Sequence, residues 1–519
     1  MHGLARGGTL NLIGGVGGSV LSMALVAFVA RRLGADSAGL FFEAIALFNI
    51  AVVVCAFGAD TGLLRWTSSA RVNAAAGRID PGLGIPGHAS NLVVGIALIP
   101  VVVAGLTVGA AGYFFSGRLA AALVDGAQRS TLADQLAVMS VFVPIGAITV
   151  ALLGTTRGYG TMVPTVVGER IGRPLVQLLA VGGAILAGAS APVVAGAWCL
   201  GVIVSFEVAA LWLARLRPVP VRRGVRRRIL LRNTMREFWG FTLPRAFAAI
   251  SRIGVLWLDV LLVGAFLEPA DAARYTVATR LLQVGFLAVD AVGQAAEPMF
   301  AQAVAESPRA GSVRRTRLNH LYQAASAWLV LLTWPGFILL AAFSPSLLGL
   351  FGGQYRSAWP VVVILAGSAL VGSGAGPVDV LLVMAGRSAS SLRNAVVSLV
   401  INVVANLILL PRIGIEGAAI AWAASRIVGN ILPLVQVRRF LGVRPGGAPW
   451  WTAALLSVAS AGTPSALALI VFGQRLGVGI GAGIVALVCH MSLAVVLRDK
   501  LALDQFGVAL RRRSAREAR

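Results

Sequence analysis

The sequence predicts an all-α polytopic membrane protein with about 14 transmembrane helices, arranged as two six-helix lobes plus two C-terminal helices. Of its 519 residues, 58% are hydrophobic and 12% are charged, whereas soluble domains are about 45–50% apolar and about 25% charged. In addition, apolar stretches of roughly 20 residues recur along the whole chain, and each can cross a hydrocarbon core of ~30 Å. A soluble fold would leave too much apolar surface exposed to water.

Each apolar stretch is interpreted as one transmembrane span, numbered in chain order. The spans are placed at 9–30, 39–64, 90–113, 134–154, 163–187, 192–214, 238–265, 274–300, 322–343, 359–384, 392–411, 414–437, 450–472 and 476–497. The first is too long for a cleaved signal sequence and lacks a small-residue cleavage site, so we expect an uncleaved anchor.

The longest connection, residues 215–237, divides the first twelve spans into two groups of six. Secondary transporters are commonly built from such repeated halves. The predicted organisation is a lobe at 1–214, a basic cytoplasmic linker at 215–237, a second lobe at 238–440, two extra helices at 441–497 and a basic cytoplasmic tail at 498–519.

The basic residues predict the orientation in the membrane. With the N-terminus inside, 30 of the 44 Lys and Arg residues fall on the inner side and 8 on the outer side. Because cytoplasmic loops are enriched in basic residues, both termini are expected in the cytoplasm. The net charge of +24 then fixes topology and contacts anionic lipid, and no nucleic-acid partner is expected.

The sequence carries no motif for an enzyme or a bound cofactor. It lacks a phosphate-binding GxxxxGK[ST] motif, and its four histidines are scattered. The glycine-rich run at 14–18 lies inside span one, where it favours close helix packing. The cysteines, at positions 55, 199 and 489, have no CxxC spacing. Neither a metal site nor a disulfide is predicted, and the short outer loops leave no room for a catalytic domain.

Charged residues inside the spans are the candidate binding residues, because each costs roughly 2.5–3.5 kcal/mol to insert and should face protein or a water-filled cavity. In span seven Arg245, Arg252 and Asp259 are seven residues apart and share one helix face. Span eight runs back with Arg280 and Asp290. By depth, Asp259 pairs with Arg280, and Asp290 lies between Arg245 and Arg252. Two interpretations stay open: mutual salt bridges, or a cavity whose arginines bind an anionic headgroup.

Two further spans contain charges with a structural alternative. In span five, Glu169 and Arg173 have the spacing of a local i,i+4 ion pair. In span ten, Asp379 follows the helix-breaking run Gly372–Pro377. A broken span can expose backbone groups to a substrate; the alternative is a simple kink, with Asp379 capping the restarted helix.

Four stretches carry a family resemblance: ALVAFVARRLGADSAGLFFEAIALFN at 24–49, LWLDVLLVGAF…ARYTVATRLLQ at 256–283, LLGLFGGQYRSAWPVVVIL at 347–365 and INVVANLILLPRIGIEGAAIAWAASRIVG at 401–429. They resemble the polysaccharide flippase branch of the multidrug/oligosaccharidyl-lipid/polysaccharide exporter (MOP) superfamily. The last block is the most specific, and the resemblance covers most of residues 1–440.

The resemblance implies a transporter of the bacterial cytoplasmic membrane. It would flip a polyprenyl-pyrophosphate-linked oligosaccharide or polysaccharide precursor by alternating access. Arg280 matches a cavity arginine of the family's lipid II flippases by motif; Arg31, Arg32 and Arg65 match less closely. With Arg245, Arg252, Asp259 and Asp290 they form the predicted binding set, to which Glu43 and Asp379 are added. Expected partners are the anionic glycolipid, membrane lipids and the glycosyltransferases or polymerase that use it.

A multidrug or small-solute cation-coupled antiporter of the same superfamily is the alternative. Many such exporters carry a cation-coupling Asp in span one, where this sequence has no acidic residue. This difference favours the flippase branch, and the coupling ion stays open.

The first prediction concerns topology. In a protein whose three native cysteines are replaced by Ala, Gly224→Cys and Gly353→Cys should react with a membrane-impermeant maleimide from opposite sides of the membrane. Labelling of both from the same side would contradict the fourteen-span topology.

Overall fold

The computed structural model describes residues 2–75, 90–216, 227–305, 311–444 and 446–501, and every regular element in these ranges is a helix. Contacts divide the chain into two compact units, with the division between Ala273 and Arg274. Span seven therefore packs with the first six spans. The predicted division into two functional lobes at the linker 215–237 stays a prediction.

The first unit begins with one helical segment, His2–Ala56, that contains span one and most of span two. Non-helical angles at Gly34 (φ 78°, ψ 172°) divide it into two helices, and a positive φ of this kind favours glycine. The other helices are Ala59–Ala75 (span two, continued), Ser90–Phe114 (three), Ser116–Leu123 (a connector), Gln128–Ser140 with Val143–Gly158 (four), Thr165–Gly172 with Arg173–Leu186 (five), Ala191–Arg215 (six) and Arg227–Phe266 (seven).

The second unit contains the remaining spans. Its helices are Pro269–Ala305 (eight, starting in the first unit), Gly311–Ala342 (nine), the short Ser344–Leu348, Gly349–Phe351 and Gly353–Ala358, Trp359–Gly374 with Val378–Met384 (ten), Ser388–Ile413 (eleven), Ile415–Leu441 (twelve), Ala448–Ser457, Val458–Gly462 and Thr463–Phe472 (thirteen) and Leu476–Val496 (fourteen).

The described helices agree with the predicted number of crossings. Ten are long and apolar enough to span a membrane, and two bent pairs each pass as one span. One of the ten, Gly14–Ala56, has 43 residues, which is about 65 Å of helix. Because it is broken at Gly34, it counts as two crossings, which raises the number from twelve to thirteen. The helix of span five is the fourteenth crossing. The protein is an all-α polytopic membrane protein.

Three helices extend well beyond the predicted apolar spans. Span two continues to Ala75 past residue 64, span seven begins at Arg227 inside the predicted linker, and span nine begins at Gly311 ahead of residue 322. Hydropathy reports only the part of a helix that lies in hydrocarbon. Arg, which recurs in these extensions, is a good helix former in water as well, so the helices extend beyond the apolar runs.

The glycine-rich start of span one is a packing surface, as predicted. A methyl group on Gly14 would overlap with Val166, and one on Gly18 would overlap with the carbonyl oxygen of Arg170. Both partners lie in Thr165–Gly172, which is a π-helical stretch of span five. Small residues one turn apart let the two backbones approach closely.

Spans two and seven pack antiparallel along their length, again through small residues. Gly39 contacts Pro269 just beyond the end of span seven, Gly264 contacts Glu43, and Gly62 contacts Thr242 and Phe238. From Gly39 to Gly62 the contact covers about 35 Å of helix, which is the full thickness of a hydrocarbon core of ~30 Å.

In the second unit, the two extra C-terminal helices pack on span nine. Ala327 and Val330 of span nine share a core cluster with Ala453 of span thirteen and Ala494 of span fourteen. Spans eleven and twelve are joined by a reciprocal pair of amide hydrogen bonds of 2.9 Å each between Asn394 and Gln436.

The glycine contact of span one gives the second prediction. Gly18→Ala should destabilise the protein by about 1–3 kcal/mol, because the added methyl overlaps with a backbone carbonyl that has no room to move. The matched control is Gly17→Ala on the same helix, where no atom lies within 4 Å of the added methyl. Its effect should be neutral or slightly stabilising, since Ala is a better helix former than Gly.

The measurement is the midpoint of thermal unfolding in detergent, followed by size-exclusion chromatography. Equal midpoints for the two variants would contradict close packing of span one on span five.

Candidate functional site

Two arginines of the first unit share one aromatic ring. The Cζ atoms of Arg65 and Arg245 lie 4.0 Å and 3.9 Å from the centroid of the Phe241 ring. Arg65 also lies 5.1 Å from the Trp66 ring. Such cation–π contacts are worth about 0.5–1 kcal/mol at exposed sites and more when desolvated.

The arginine pair is not neutralised within the described residues. Both side chains are exposed, and neither makes an ion pair or a side-chain hydrogen bond with another residue that the structure describes. The guanidinium groups of Arg65 and Arg245 are close enough to repel each other as like charges. Two exposed guanidinium groups with no acidic partner form a site that attracts an anion, and Arg is suited to bidentate binding of phosphate.

The sequence of spans two and seven explains how this pair is positioned. Phe241 and Arg245 are one turn apart on span seven, so the ring and the guanidinium meet within one helix. Arg65 reaches the ring from span two because Gly62 lets that helix approach Thr242 and Phe238. The Trp66 ring packs against Phe241 and Phe238 at centroid distances of 5.7 Å and 5.6 Å.

The other predicted residues of span seven differ in burial. Arg252 is exposed, whereas Asp259 is completely buried. Arg245, Arg252 and Asp259 lie on a continuous helix, so their seven-residue spacing does place them on one face. The predicted pairing of Asp259 with Arg280, and the place of Asp290 between the two arginines, would join the two units and stay predictions.

A second arginine–aromatic cluster lies in the second unit. Arg426 of span twelve has its Cζ atom 5.2 Å from the Phe286 ring and 5.4 Å from the Trp422 ring. It also interacts electrostatically with Asp290. Phe286 and Asp290 are one turn apart on span eight, so the ring and the carboxylate both face the guanidinium.

The predicted binding set does not include Arg426, although this residue lies within span twelve. The available signal was Trp422, one turn before Arg426, and the pair Phe286 and Asp290 with the same spacing. The contact of the arginines with Phe241 is not predicted either, because only acids are considered as their partners in the sequence.

The charges of span five form the local pair that the sequence predicts. Arg173 Nη1 lies 2.7 Å from Glu169 Oε1, and Ser205 donates a hydrogen bond of 2.6 Å to Glu169 Oε2. Arg173 also lies over the ring of Trp198 at 5.3 Å. Both carboxylate oxygens are occupied, so the group fixes span five to span six.

The break in span ten is closed by side chains. The helix ends at Gly374 and restarts at Val378. Trp334 and Trp450 donate to the carbonyls of Leu370 and Gly374 at 3.1 Å and 2.9 Å, and the Tyr322 hydroxyl donates to that of Ala375. These carbonyls are therefore not free for a substrate, which favours the kink interpretation.

Four residues of the predicted set remain apart from the arginine clusters. Asp379, exposed in the first turn of the restarted helix, accepts a hydrogen bond of 2.7 Å from Ser391 instead of capping the helix. Arg31 and Arg32 are exposed just before the break at Gly34. Glu43 is buried beside Gly264.

Possible metal ligands are also dispersed. Among the described residues, no group of three or more His, Cys, Asp or Glu side chains could hold a metal ion. The three cysteines are unpaired, and Cys55 and Cys199 are buried.

Known structures share this arrangement of helices. The chain is similar to the lipid II flippase MurJ in an inward closed conformation, with a TM-score of 0.71, 12% identity and coverage of 94% of this chain and 98% of that one. It is also similar to an inward-facing multidrug resistance MATE family transporter of the MOP superfamily, with a TM-score of 0.60, 16% identity and coverage of 82% and 94%. The chain has the fold of the MOP superfamily.

A curated relative supports the same resemblance by sequence. The chain is 25% identical over 452 residues, covering 85% of each protein, to the probable low-salt glycan biosynthesis flippase Agl15 of Haloferax volcanii. No family model matches the chain. The resemblance to the MOP superfamily predicted from the sequence is confirmed, and its fold is that of membrane transporters.

The third prediction tests the shared ring of this MOP-fold protein. Inorganic diphosphate should raise the thermal unfolding midpoint, because a ligand that binds only the folded state stabilises it. Arg65→Gln and Arg245→Gln should each lose at least half of this gain. The matched control, Arg412→Gln, removes an exposed arginine that lies on span eleven and should keep the full gain.

Phe241→Leu should also reduce the gain, because the ring that holds the two cations side by side is lost. An equal gain in all four variants would show that diphosphate acts through general ionic strength instead of this site.

Proposed function

We propose that the protein flips a lipid-linked oligosaccharide or polysaccharide precursor, carried on a polyprenyl pyrophosphate, across the cytoplasmic membrane by alternating access. The observation that carries the proposal is the pair Arg65 and Arg245 on the ring of Phe241, which has no acidic partner among the described residues. A pyrophosphate carries at least two negative charges, and two guanidinium groups can bind its oxygens in a bidentate manner.

The comparisons support the kind of cargo. One curated relative is named as a glycan biosynthesis flippase, and a solved structure with the same fold is a lipid II flippase. The polyprenyl tail can remain in the lipid while the headgroup passes a polar pathway. No chemical change of the cargo is required, so we propose that the protein is a transporter and not an enzyme.

We further propose that the protein is a multi-pass component of the cytoplasmic membrane with both termini inside, as the arginine distribution predicts. The matched relative is archaeal, so the proposal covers bacterial and archaeal membranes alike. The partners would be the glycosyltransferases that build the lipid-linked glycan and the polymerase or transferase that consumes it.

The alternative is a cation-coupled exporter of drugs or other small solutes, which is supported by the likeness to a multidrug resistance transporter. An exporter of cationic drugs would need acidic groups at its binding site. The exposed, unpaired groups near the ring of Phe241 are arginines, which favours an anionic cargo.

The fourth prediction is a comparison of cargoes. Protein reconstituted in vesicles should move a fluorescent N-acetylglucosamine linked to a short polyprenyl diphosphate at least tenfold faster than the same sugar on an uncharged polyprenyl lipid. The polyprenyl monophosphate should be intermediate, because it presents fewer oxygens and less charge. Loss of fluorescence to a membrane-impermeant quencher reports arrival in the outer leaflet.

Arginine variants test the binding mode in the same assay. Arg245→Lys keeps the charge but loses the bidentate fork, and a lost charge-assisted hydrogen bond of about 1.5–3 kcal/mol corresponds to roughly a tenfold to hundredfold lower rate. Arg245→Gln should lose at least as much, and Arg252→Gln and Arg280→Gln should also be impaired. Arg412→Gln is the control.

Equal rates for the charged and uncharged lipids, or full activity in all three glutamine variants of the binding set, would refute the anionic-cargo mechanism. Ethidium export by the wild-type protein, without glycolipid movement, would favour the antiporter instead.

A further inference from the structure

A buried carboxyl group in span two has no role in the proposed anion site. Glu43 is completely inaccessible to solvent, and neither of its carboxyl oxygens has a hydrogen-bond partner among the described residues. A methyl group on Gly264 of span seven would overlap with this carboxyl, so the glycine provides the space that it occupies. An ionised carboxylate without a partner is very costly to bury, and the protonated acid is the form that fits this place.

Within the described part of the chain, no counter-charge compensates Glu43. The charged side chains that the structure describes on its own helix, on the rest of span two and on the helices packed against it are Arg31, Arg32, Asp36, Asp60, Arg65, Arg129, Asp134, Arg157, Glu169, Arg170, Arg173, Arg236, Glu237, Arg245, Arg252 and Asp259. Two of these pairs are mutual, Glu169 with Arg173 and Arg157 with Asp60. None of the described groups makes an ion pair or a hydrogen bond with Glu43.

The helix that carries Glu43 is joined to the rest of span two by a strained break. Phe57 has φ 46° and Gly58 has φ 68°, between the helix that ends at Ala56 and the one that begins at Ala59. Phe57 is the only non-glycine residue with a positive φ in the described chain. A bulky side chain in this region is a backbone outlier, and such strain is concentrated at segments that switch between conformations.

The contact that buries Glu43 is made largely by small residues. On either side of it, Gly39 meets Pro269 and Gly58 meets Ala246. Glycine contacts offer close backbone approach but little side-chain interlock. The break at Phe57 and Gly58 is the place about which the segment 35–56 would separate from span seven.

We propose that Glu43 is a proton-binding site whose occupancy is tied to this contact between spans two and seven. When the contact opens, the carboxyl O–H bond breaks, the electron pair stays on the oxygen and the proton passes to water. When it closes, the carboxylate takes a proton back from water before it is buried. The ligand is a proton, and the proposal holds for any cargo that the protein moves.

Hydrogen–deuterium exchange gives the fifth prediction. After correction for the intrinsic pH dependence of exchange, protection of the amides in 39–56 and 258–266 should fall as pH rises, because ionisation of Glu43 favours the open contact. The slope should approach tenfold per pH unit, as one-proton linkage requires. In Glu43→Gln, which cannot ionise, protection should be high and independent of pH.

Two variants keep the test independent of folding defects in Glu43→Gln. Asp36→Asn removes an exposed acid from the same helix and should retain the wild-type slope. Gly264→Ala crowds the carboxyl and should move the loss of protection to lower pH. The infrared carbonyl band of a protonated carboxylic acid, present in the wild type at neutral pH, should be lost in Glu43→Gln and kept in Asp36→Asn.

The proposal would be overturned if amide protection in the wild type did not depend on pH, or if Glu43→Gln kept the wild-type pH dependence. It would also be overturned if Gly264→Ala lost protection at the same pH as the wild type. These readouts involve no glycolipid. If the vesicle assay shows no glycolipid movement but the pH dependence of amide protection is as expected, the proposed cargo is refuted and the proton site is still supported.

Discussion

The arrangement of the first unit depends on the close approach of spans two and seven. Small residues at the contact, among them Gly39, Gly62 and Gly264, allow two backbones to pack without intervening side chains. In a bilayer, helices gain nothing from apolar burial against each other, and close van der Waals contact is what holds them together. The same contact brings Arg65 to Phe241 at one end and buries Glu43 at the other. Larger residues at these glycines would separate both groups from their surroundings.

Three arginines of the protein are held on aromatic rings. Arg65, Arg245 and Arg426 each lie over Phe or Trp rings at distances of 3.9–5.4 Å. A salt bridge would occupy the guanidinium N–H groups, whereas a ring contact uses the face of the cation and leaves its edge donors available. Cations held in this way can still bind an anion. The pair Glu169 and Arg173 shows the contrast, because its donors and acceptors are consumed within the protein.

Hydropathy was sufficient to place the fourteen crossings, because a run of about 20 apolar residues has few other stable environments. It could not place the helix ends. Span two, for example, continues as a helix past Arg65 into the polar region. The break at Phe57 was not predictable either: it results from packing, and the local sequence Ala56-Phe57-Gly58 is not unusual. Of the candidate site, the charged residues could be found from their cost in the membrane. Their partners could not, because a ring and an acid can both stabilise an arginine and only the fold decides which is near.

The breaks of span two and span ten are built differently. At the break of span ten, Trp334, Trp450 and Tyr322 from spans nine and thirteen donate to the carbonyls that the break leaves open. Neighbouring helices therefore fix its geometry, and bending there would cost three hydrogen bonds in a medium without water. At the break of span two, the side-chain hydrogen bond is local, from Thr61 to the carbonyl of Gly58, and the strained angle of Phe57 adds stored energy. Motion of the helix should therefore concentrate at span two. The segment that this break joins to the rest of span two carries Glu43, whose carboxyl group has no hydrogen-bond partner among the described residues, so the proposed protonation and the bending act on the same piece of the chain.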